Sequence, residues 1–285
     1  MLMVHAHGDQ PVPVLERAGG AAPPDSEMCS RLTLVLDLDD TLVKTYQVRL
    51  ASDRAHLAAL SKSPLERFTF TLESDNAYVV FKRPGLDDFL RSARNDFDIV
   101  IFSAAQEDYL HQVVNALDPE HTLISAVYSR AHCSFASQVG LSQFFFSSCP
   151  CARATRKREL TPLPNTLVAK DLRVLNRNLA HVVLVDDNLS NMYLQHSNGI
   201  PVRQFDPVKR PADTLLSKAL PTLLAHLCSA ALFRVKGDVR PVLKEIFAID
   251  EFFNLCQRAV VDSVLESSAV PRREENVGFM QHFVS

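Results

Sequence analysis

Leu32, Thr33, Leu34, Val35, Leu36, Asp37, Leu38, Asp39, Asp40, Thr41 and Leu42 form the stretch from which the fold is read. An almost continuous apolar run without alternation suits a strand covered on both faces, which in a soluble protein means a strand inside a parallel sheet. The run stops at Asp37, and two further acids follow within three residues. In open parallel α/β sheets, ligands bind beyond the carboxyl ends of the strands, so acids at that place stand where chemistry is done.

Downstream residues repeat the pattern. Residues 79–81 read as a strand; Pro84 and Gly85 break the chain, and Leu86, Phe89, Leu90 and Ala93 then recur at helical spacing. Residues 97–102 form another strand-like run, and Tyr109, Leu110, Val113, Val114 and Leu117 stripe a helix. Residues 123–128 and 182–185 give further strands, the last ending in Asp186. Strands alternating with helices predict an α/β fold with a central parallel sheet flanked by helices. Segments 47–77 and 133–165 interrupt the rhythm and read as insertions near the site. Two helices are expected after Phe205, over 212–232 and 239–258, the second capped by Asp238. The organisation expected is a disordered lead-in over 1–28, one domain over 29–258 and a tail over 259–285, with no internal repeat.

Composition is that of a globular chain: of 285 residues, 47% are hydrophobic and 22% charged. A formal net charge of -3 gives no basic field for nucleic acid, so direct nucleic-acid binding is not expected. The longest apolar stretch, 219–233, contains His226 and Pro221 and is shorter than the roughly 20 residues of a bilayer span, so no membrane span is expected. The six scattered cysteines (Cys29, Cys133, Cys149, Cys151, Cys228, Cys256) are not a dense disulfide pattern. Together with the absence of a signal core or presequence pattern, they point to an intracellular, nuclear or cytoplasmic protein.

Four clusters carry chemistry. Asp37 can attack phosphorus to give an aspartyl phosphate, and Asp39 can protonate the leaving alkoxide and then activate water. Two acids beside a phosphate dianion require a hard divalent cation, Mg²⁺ by preference, with oxygen ligands. Ser103 ends the run 97–102, where a hydroxyl and backbone N–H groups can cradle phosphate oxygens. Lys170 can neutralise a transferring phosphoryl group, and Asp186 with Asp187 can supply the remaining metal ligand and hold the lysine. Each cluster alone has a bland reading: an acidic turn, a helix cap, a solvated lysine. Their conjunction, each after an apolar run and in the order the chemistry requires, argues for one site.

These residues sit in longer stretches that resemble the FCP/SCP (NLI-interacting factor) carboxy-terminal-domain phosphatases of RNA polymerase II, within the haloacid dehalogenase (HAD) superfamily. Residues 36–43 resemble the DxDxT signature, and 82–90 (KRPGLDDFL), 98–105 (DIVIFSAA), 128–135 (YSRAHCSF), 168–172 (VAKDL) and 182–201 (VVLVDDNLSNMYLQHSNGIP) follow in register. The resemblance implies a Rossmann-like HAD fold with a flap or cap insertion. It implies an Mg²⁺-dependent protein serine/threonine phosphatase acting on a phosphorylated protein or peptide, with Asp37, Asp39, Thr41, Ser103 and Lys170 catalytic. It further implies metal held by Asp37, the Asp39 carbonyl and a residue of the pair Asp186 and Asp187. Two features depart from the small members of the family: Asp187 stands where they usually carry Asn, and the 133–165 insertion is longer than their flap.

That insertion holds an apolar triplet (Phe144, Phe145, Phe146) and a basic group (Arg153, Arg156, Lys157, Arg158) suited to guiding an acidic substrate. His132, Cys133, Cys149 and Cys151 match no common zinc spacing. Two other functions share the motif set. One is a peptide-binding module like the mitochondrial translocase presequence receptor, which often has a degraded DxDxT, whereas Asp37, Asp39 and Thr41 are intact here. The other is an HAD phosphatase acting on a small-molecule or nucleic-acid-end phosphate, since fold does not fix substrate.

Overall fold

The computed structural model describes residues 4–5, 31–72, 76–137, 166–233 and 237–247. The aromatic triplet, the basic group, Cys149, Cys151 and the tail lie outside the described residues, as does all of the expected lead-in except Val4 and His5. In chain order the strands are β1 (Val4–His5), β2 (Leu32–Leu36), β3 (Val43–Gln47), β4 (Arg67–Thr71), β5 (Ala77–Lys82), β6 (Phe97–Phe102), β7 (Ile124–Tyr128), β8 (Cys133–Ser137), β9 (Thr166–Lys170), β10 (Val182–Asp186) and β11 (Gly199–Pro201). The α-helices are α1 (Ala51–Ala59), α2 (Leu86–Asp96), α3 (Glu107–Leu117), α4 (Leu220–Phe233) and α5 (Arg240–Phe247).

The central sheet has five strands in the order β11-β10-β2-β6-β7. All four pairings in it are parallel. The expected α/β architecture is therefore the observed one, and β2 lies at its centre. Side chains alternate across a strand, so Leu34 and Leu36 face one layer and Val35 the other. Leu34 and Leu36 join one buried cluster with residues of α2, α3, α4 and α5. Val35 joins Val100, Leu184, Leu172, Leu175 and Met192 in another, closed by short turns rather than α-helices. Both faces are dry, which is why the run has no polar alternation.

Residues 79–81 do form a strand, but in a second sheet. There β3, β5 and β4 pair antiparallel in the order β3-β5-β4, so the segment expected as the first insertion, 47–77, holds α1 and β4 and belongs to a three-stranded sheet that extends beyond it to β3 and β5. A third sheet, β1-β8-β9, is also antiparallel and brings in Lys170, the last residue of β9. The apolar run before Lys170 is thus a strand of the second insertion's stem. In place of one helix over 212–232, a single wide turn (Leu215–Ala219) precedes α4. The Arg240 amide donates to Asp238 Oδ1 at 2.9 Å, so Asp238 caps α5 as expected.

Arg83 ties these pieces together. It is 1% exposed and donates from Nε and Nη2 to the two Asp213 oxygens at 2.9 and 2.8 Å. Its Nη1 and Nη2 also reach the carbonyls of Thr41 and Arg203 at 2.8 and 3.0 Å. The guanidinium stacks over Phe205 at 5.5 Å from the ring centroid. A planar fork with five donors suits such a junction. Next to it, Gly85 (φ +82) caps α2 in the left-handed region, and a Cβ there would lie 3.2 Å from Ser217 Cβ.

Removing one partner of a buried ion pair leaves the other charge without compensation. Arg83→Met is expected to lower stability by about 3–5 kcal/mol in urea unfolding. A loss below about 1 kcal/mol would show that the junction is solvated and not structural.

Candidate active site

The parallel strands end at one edge of the sheet. Leu36 lies opposite Ile101 on β6 and Val185 on β10, so Asp37, Ser103 and Asp186 emerge side by side from β2, β6 and β10. Asp37 continues the ladder for one residue, its amide donating to the Val185 carbonyl at 2.9 Å. The chain then reverses within six residues. The Leu42 amide bonds the Leu38 carbonyl at 2.9 Å, the Asp40 amide bonds the Val43 carbonyl at 2.7 Å, and Asp40 takes a left-handed φ of 70°. A non-glycine residue there costs of order 1 kcal/mol or more. The Asp40 carboxylate is held by Lys44 Nζ and Gln204 Nε2, both at 2.6 Å. Its carbonyl accepts from the Phe205 amide at 2.6 Å.

That reversal aims Thr41 back at β10. Its Oγ1 donates to Asp187 Oδ1 at 3.2 Å and accepts from the Asp187 amide at 3.1 Å. Lys170, fully buried, donates from Nζ to Asp37 Oδ1 at 2.5 Å and to Asp186 Oδ2 at 2.6 Å. Asp186 also accepts from the Asn188 amide at 2.8 Å and from Asn191 Nδ2, 3.0 Å from each oxygen. Lys170 thus bonds Asp37 and Asp186 together and Thr41 bonds Asp187, and the two groups meet where Asp187 follows Asp186 and the three carboxylates converge.

Asp39 and Ser103 are placed differently. The Asp39 side chain is half-buried, and its Oδ1 accepts from the Tyr109 hydroxyl at 2.6 Å. Ser103 is buried, but it does not cap a helix: α3 starts at Glu107, and the Ser103 hydroxyl accepts from the Ala105 amide at 3.1 Å. Among the described residues, Ser103 is joined to the carboxylates by strand register and not by a hydrogen bond. Sequence reasoning missed Asn191, Arg83, Thr45 and the hydroxyl of Tyr109. The last sits in a stripe of core residues, and only its phenol oxygen distinguishes it there.

Oxygen atoms of Asp37, Asp186 and Asp187 all lie within 4.8 Å of one another. Three carboxylates converge here and the Lys170 ammonium bonds two of them, Asp37 and Asp186, which leaves an excess of negative charge in a largely buried place. Burial, then the charge of Asp186, pushes the Asp37 carboxyl up to about 6 against the pull of Lys170. Burial, then Asp37 and Asp186, holds Asp187 well above the usual carboxylate range. Burial alone would lower the Lys170 ammonium, but the charges of Asp186 and Asp37 outweigh it and raise it. Burial and then the charge of Asp39 keep the Tyr109 phenol protonated well beyond its ordinary range. An all-oxygen donor set with surplus negative charge is the chemistry of a hard divalent cation, so the residues fit Mg²⁺.

Residues 32–234 match the sequence model of the NLI interacting factor-like phosphatase family. The chain is 29% identical to CTD small phosphatase-like protein 2 of Dictyostelium discoideum, over 80% of its own length and 32% of that protein's. It is 28% identical to CTD nuclear envelope phosphatase 1B of Danio rerio, over 75% of this chain and 71% of that one. It is also 29% identical to the mitochondrial import inner membrane translocase subunit TIM50 of Candida glabrata, over 57% of this chain and 26% of that one. The chain thus spans a third or less of the Dictyostelium and Candida proteins and most of the zebrafish one.

Protons and a cation compete for the same carboxylates. Mg²⁺ is expected to raise the melting temperature at pH 7.5, and the shift should shrink as pH falls through about 6, where Asp37 takes up its proton. For the metal-free protein the sign follows from a folded-state value above the unfolded one: Asp37's contribution is fully present below 3.8 and is lost as pH rises to about 6. Thermal melts across this range, with and without Mg²⁺, check both expectations. A shift independent of pH would disconnect the cation from these acids.

Proposed function

The chain belongs to the NLI interacting factor-like phosphatase family, and from that premise we propose that it is an Mg²⁺-dependent protein serine/threonine phosphatase acting through Asp37. The observation that carries this reading is the convergence of the Lys170-bonded pair Asp37 and Asp186 with the Thr41-bonded Asp187, with Asp39 two residues from Asp37. The names of the Dictyostelium and zebrafish relatives favour a phosphorylated protein as substrate.

In the proposed reaction the Asp37 carboxylate attacks phosphorus, forming an Asp37 O–P bond as the bond to the seryl or threonyl oxygen breaks. Asp39, as the acid, gives its proton to that leaving oxygen. Asp39, now a carboxylate, takes a proton from water as the water oxygen attacks the same phosphorus, and inorganic phosphate leaves Asp37. Lys170 fixes the Asp37 oxygen and offsets charge gathering on the phosphoryl group. Thr41 holds Asp187 through both its hydroxyl and the Asp187 amide, and Asn191 orients Asp186. Asp37, Asp186, Asp187 and the Asp39 carbonyl would hold Mg²⁺, which when bound supplies positive charge against the phosphate dianion. Ser103, at the end of β6, is the remaining candidate for a phosphate-oxygen contact.

A second reading, peptide binding without hydrolysis, is favoured by the likeness to the translocase subunit. A nuclear or cytoplasmic location goes with the first reading and a mitochondrial one with the second.

Hydrolysis of an aryl phosphate separates the two. Turnover is expected with Mg²⁺, none with EDTA, and Asp37→Asn should lower kcat by about 10³-fold or more. Turnover indifferent to both changes would remove the phosphatase reading. A panel of phosphopeptides and phosphorylated metabolites should then show faster turnover of phosphoserine or phosphothreonine peptides. Equal rates would shift the substrate class to small molecules.

A further inference from the structure

The proposed general acid is held by a hydroxyl from outside the acidic network. Tyr109, the third residue of α3, donates to Asp39 Oδ1 at 2.6 Å. Thr45 Oγ1, on β3, lies 2.5 Å from the same phenol oxygen. A phenol carries one proton; with that proton given to Asp39, the Thr45 hydroxyl has to be the donor in its contact. The result is a directed chain from Thr45 to Tyr109 to Asp39.

Its first two members are 5% and 9% exposed, so neither is loosened by solvent. The Tyr109 ring is packed between the insertion sheet and the core. Its centroid is 5.8 Å from Phe70 on β4 and 5.7 Å from Tyr78 on β5. The phenol oxygen is therefore a fixed point, and Asp39, half-buried on the reversing loop, is oriented against it.

We propose, on the basis of the phosphatase reading above, that Tyr109 is a positioning residue for Asp39, with Thr45 orienting Tyr109. With Oδ1 accepting from the phenol, the transferable proton sits on Oδ2, because the carbonyl-type oxygen of an acid is the better acceptor. As the Asp37 O–P bond forms and the P–O bond to the leaving group breaks, the electron pair stays on the leaving oxygen. That oxygen takes the proton from Asp39 Oδ2. The Tyr109 proton does not change hands; it stays on the phenol and donates to the carboxylate that results. Without Tyr109 the Asp39 carboxyl rotates away from its reach of about 2.6–3.2 Å to the leaving oxygen. The insertion sheet, which supplies Thr45, Phe70 and Tyr78, thereby sets the proton delivery of a site built on the parallel sheet.

The leaving group supplies the test. An alkoxide needs a proton as it departs, whereas dinitrophenolate does not. The full chain with Mg²⁺ is assayed as wild type, Tyr109→Phe, Thr45→Val and Thr45→Ser. The substrates are a phosphoserine peptide and dinitrophenyl phosphate, and the readout is kcat/KM, which reports only steps up to phosphoryl transfer. Tyr109→Phe keeps the ring and its packing. It is expected to lose about 10- to 100-fold on the phosphopeptide and less than about 3-fold on dinitrophenyl phosphate. Thr45→Val should lose less, with the same selectivity, and Thr45→Ser should restore the wild-type ratio. The double variant should be no worse than Tyr109→Phe alone, since Thr45 acts through it.

Equal losses on both substrates would overturn the proposal, because a purely structural role lowers both alike. Should Tyr109→Phe fail to fold, the ratio for Thr45→Val against Thr45→Ser decides in the same way. A wild type inert towards dinitrophenyl phosphate removes the phosphatase reading itself, and this proposal with it. Wild-type turnover that depends on Asp37 but shows no leaving-group selectivity in the variants removes this proposal alone.

Discussion

Among the described residues, Lys170 is the one ammonium bonded to Asp37 and Asp186, and the site is organised around that compensation. A fully buried lysine is costly to place, and here it is accompanied by two carboxylates at 2.5 and 2.6 Å. The attraction is mutual. Asp37 and Asp186 hold the ammonium charged, and the ammonium limits the repulsion between them. Three acids are still too many for one cation, so the arrangement is incomplete by itself and suited to a divalent ion.

Each neighbouring element can be understood by what it does for this charge group. The parallel sheet brings the ends of β2 and β10 side by side, which places Asp37 next to Asp186. The left-handed turn at Asp40 returns Thr41 to Asp187, and Arg83 pins the Thr41 carbonyl from behind. The antiparallel pairing of β8 with β9 carries Lys170 in from a different sheet. The insertion sheet contributes Thr45 and, through α3, the grip on Asp39. No single element holds the site; it exists where three sheets meet.

Much of this was legible from residue order. The unbroken run before Asp37 announced a strand buried on both faces, and β2 is that strand. The stripe from Tyr109 to Leu117 announced α3 with its buried face. Where the reading diverged, the cause is physical. Residues 79–81 carry strand propensity, but propensity does not say which sheet a strand joins; pairing with β3 and β4 placed them outside the parallel sheet. Ser103 was expected at a helix start with free amides around it, yet α3 begins four residues later at Glu107 and the hydroxyl accepts from the Ala105 amide in a turn before it.

From the sequence alone came the identities of the acids, of Thr41 and Ser103 and of the lysine, and the sheet edge at which Asp37, Ser103 and Asp186 belong, because strand burial and strand ends are written in local composition. The tertiary structure alone decided who bonds to whom: that Lys170 serves Asp37 and Asp186 together, that Thr41 answers to Asp187, and that a core-stripe tyrosine reaches Asp39. Such pairings join residues as many as 146 positions apart. Their energies depend on distance and burial in three dimensions, which no local pattern encodes.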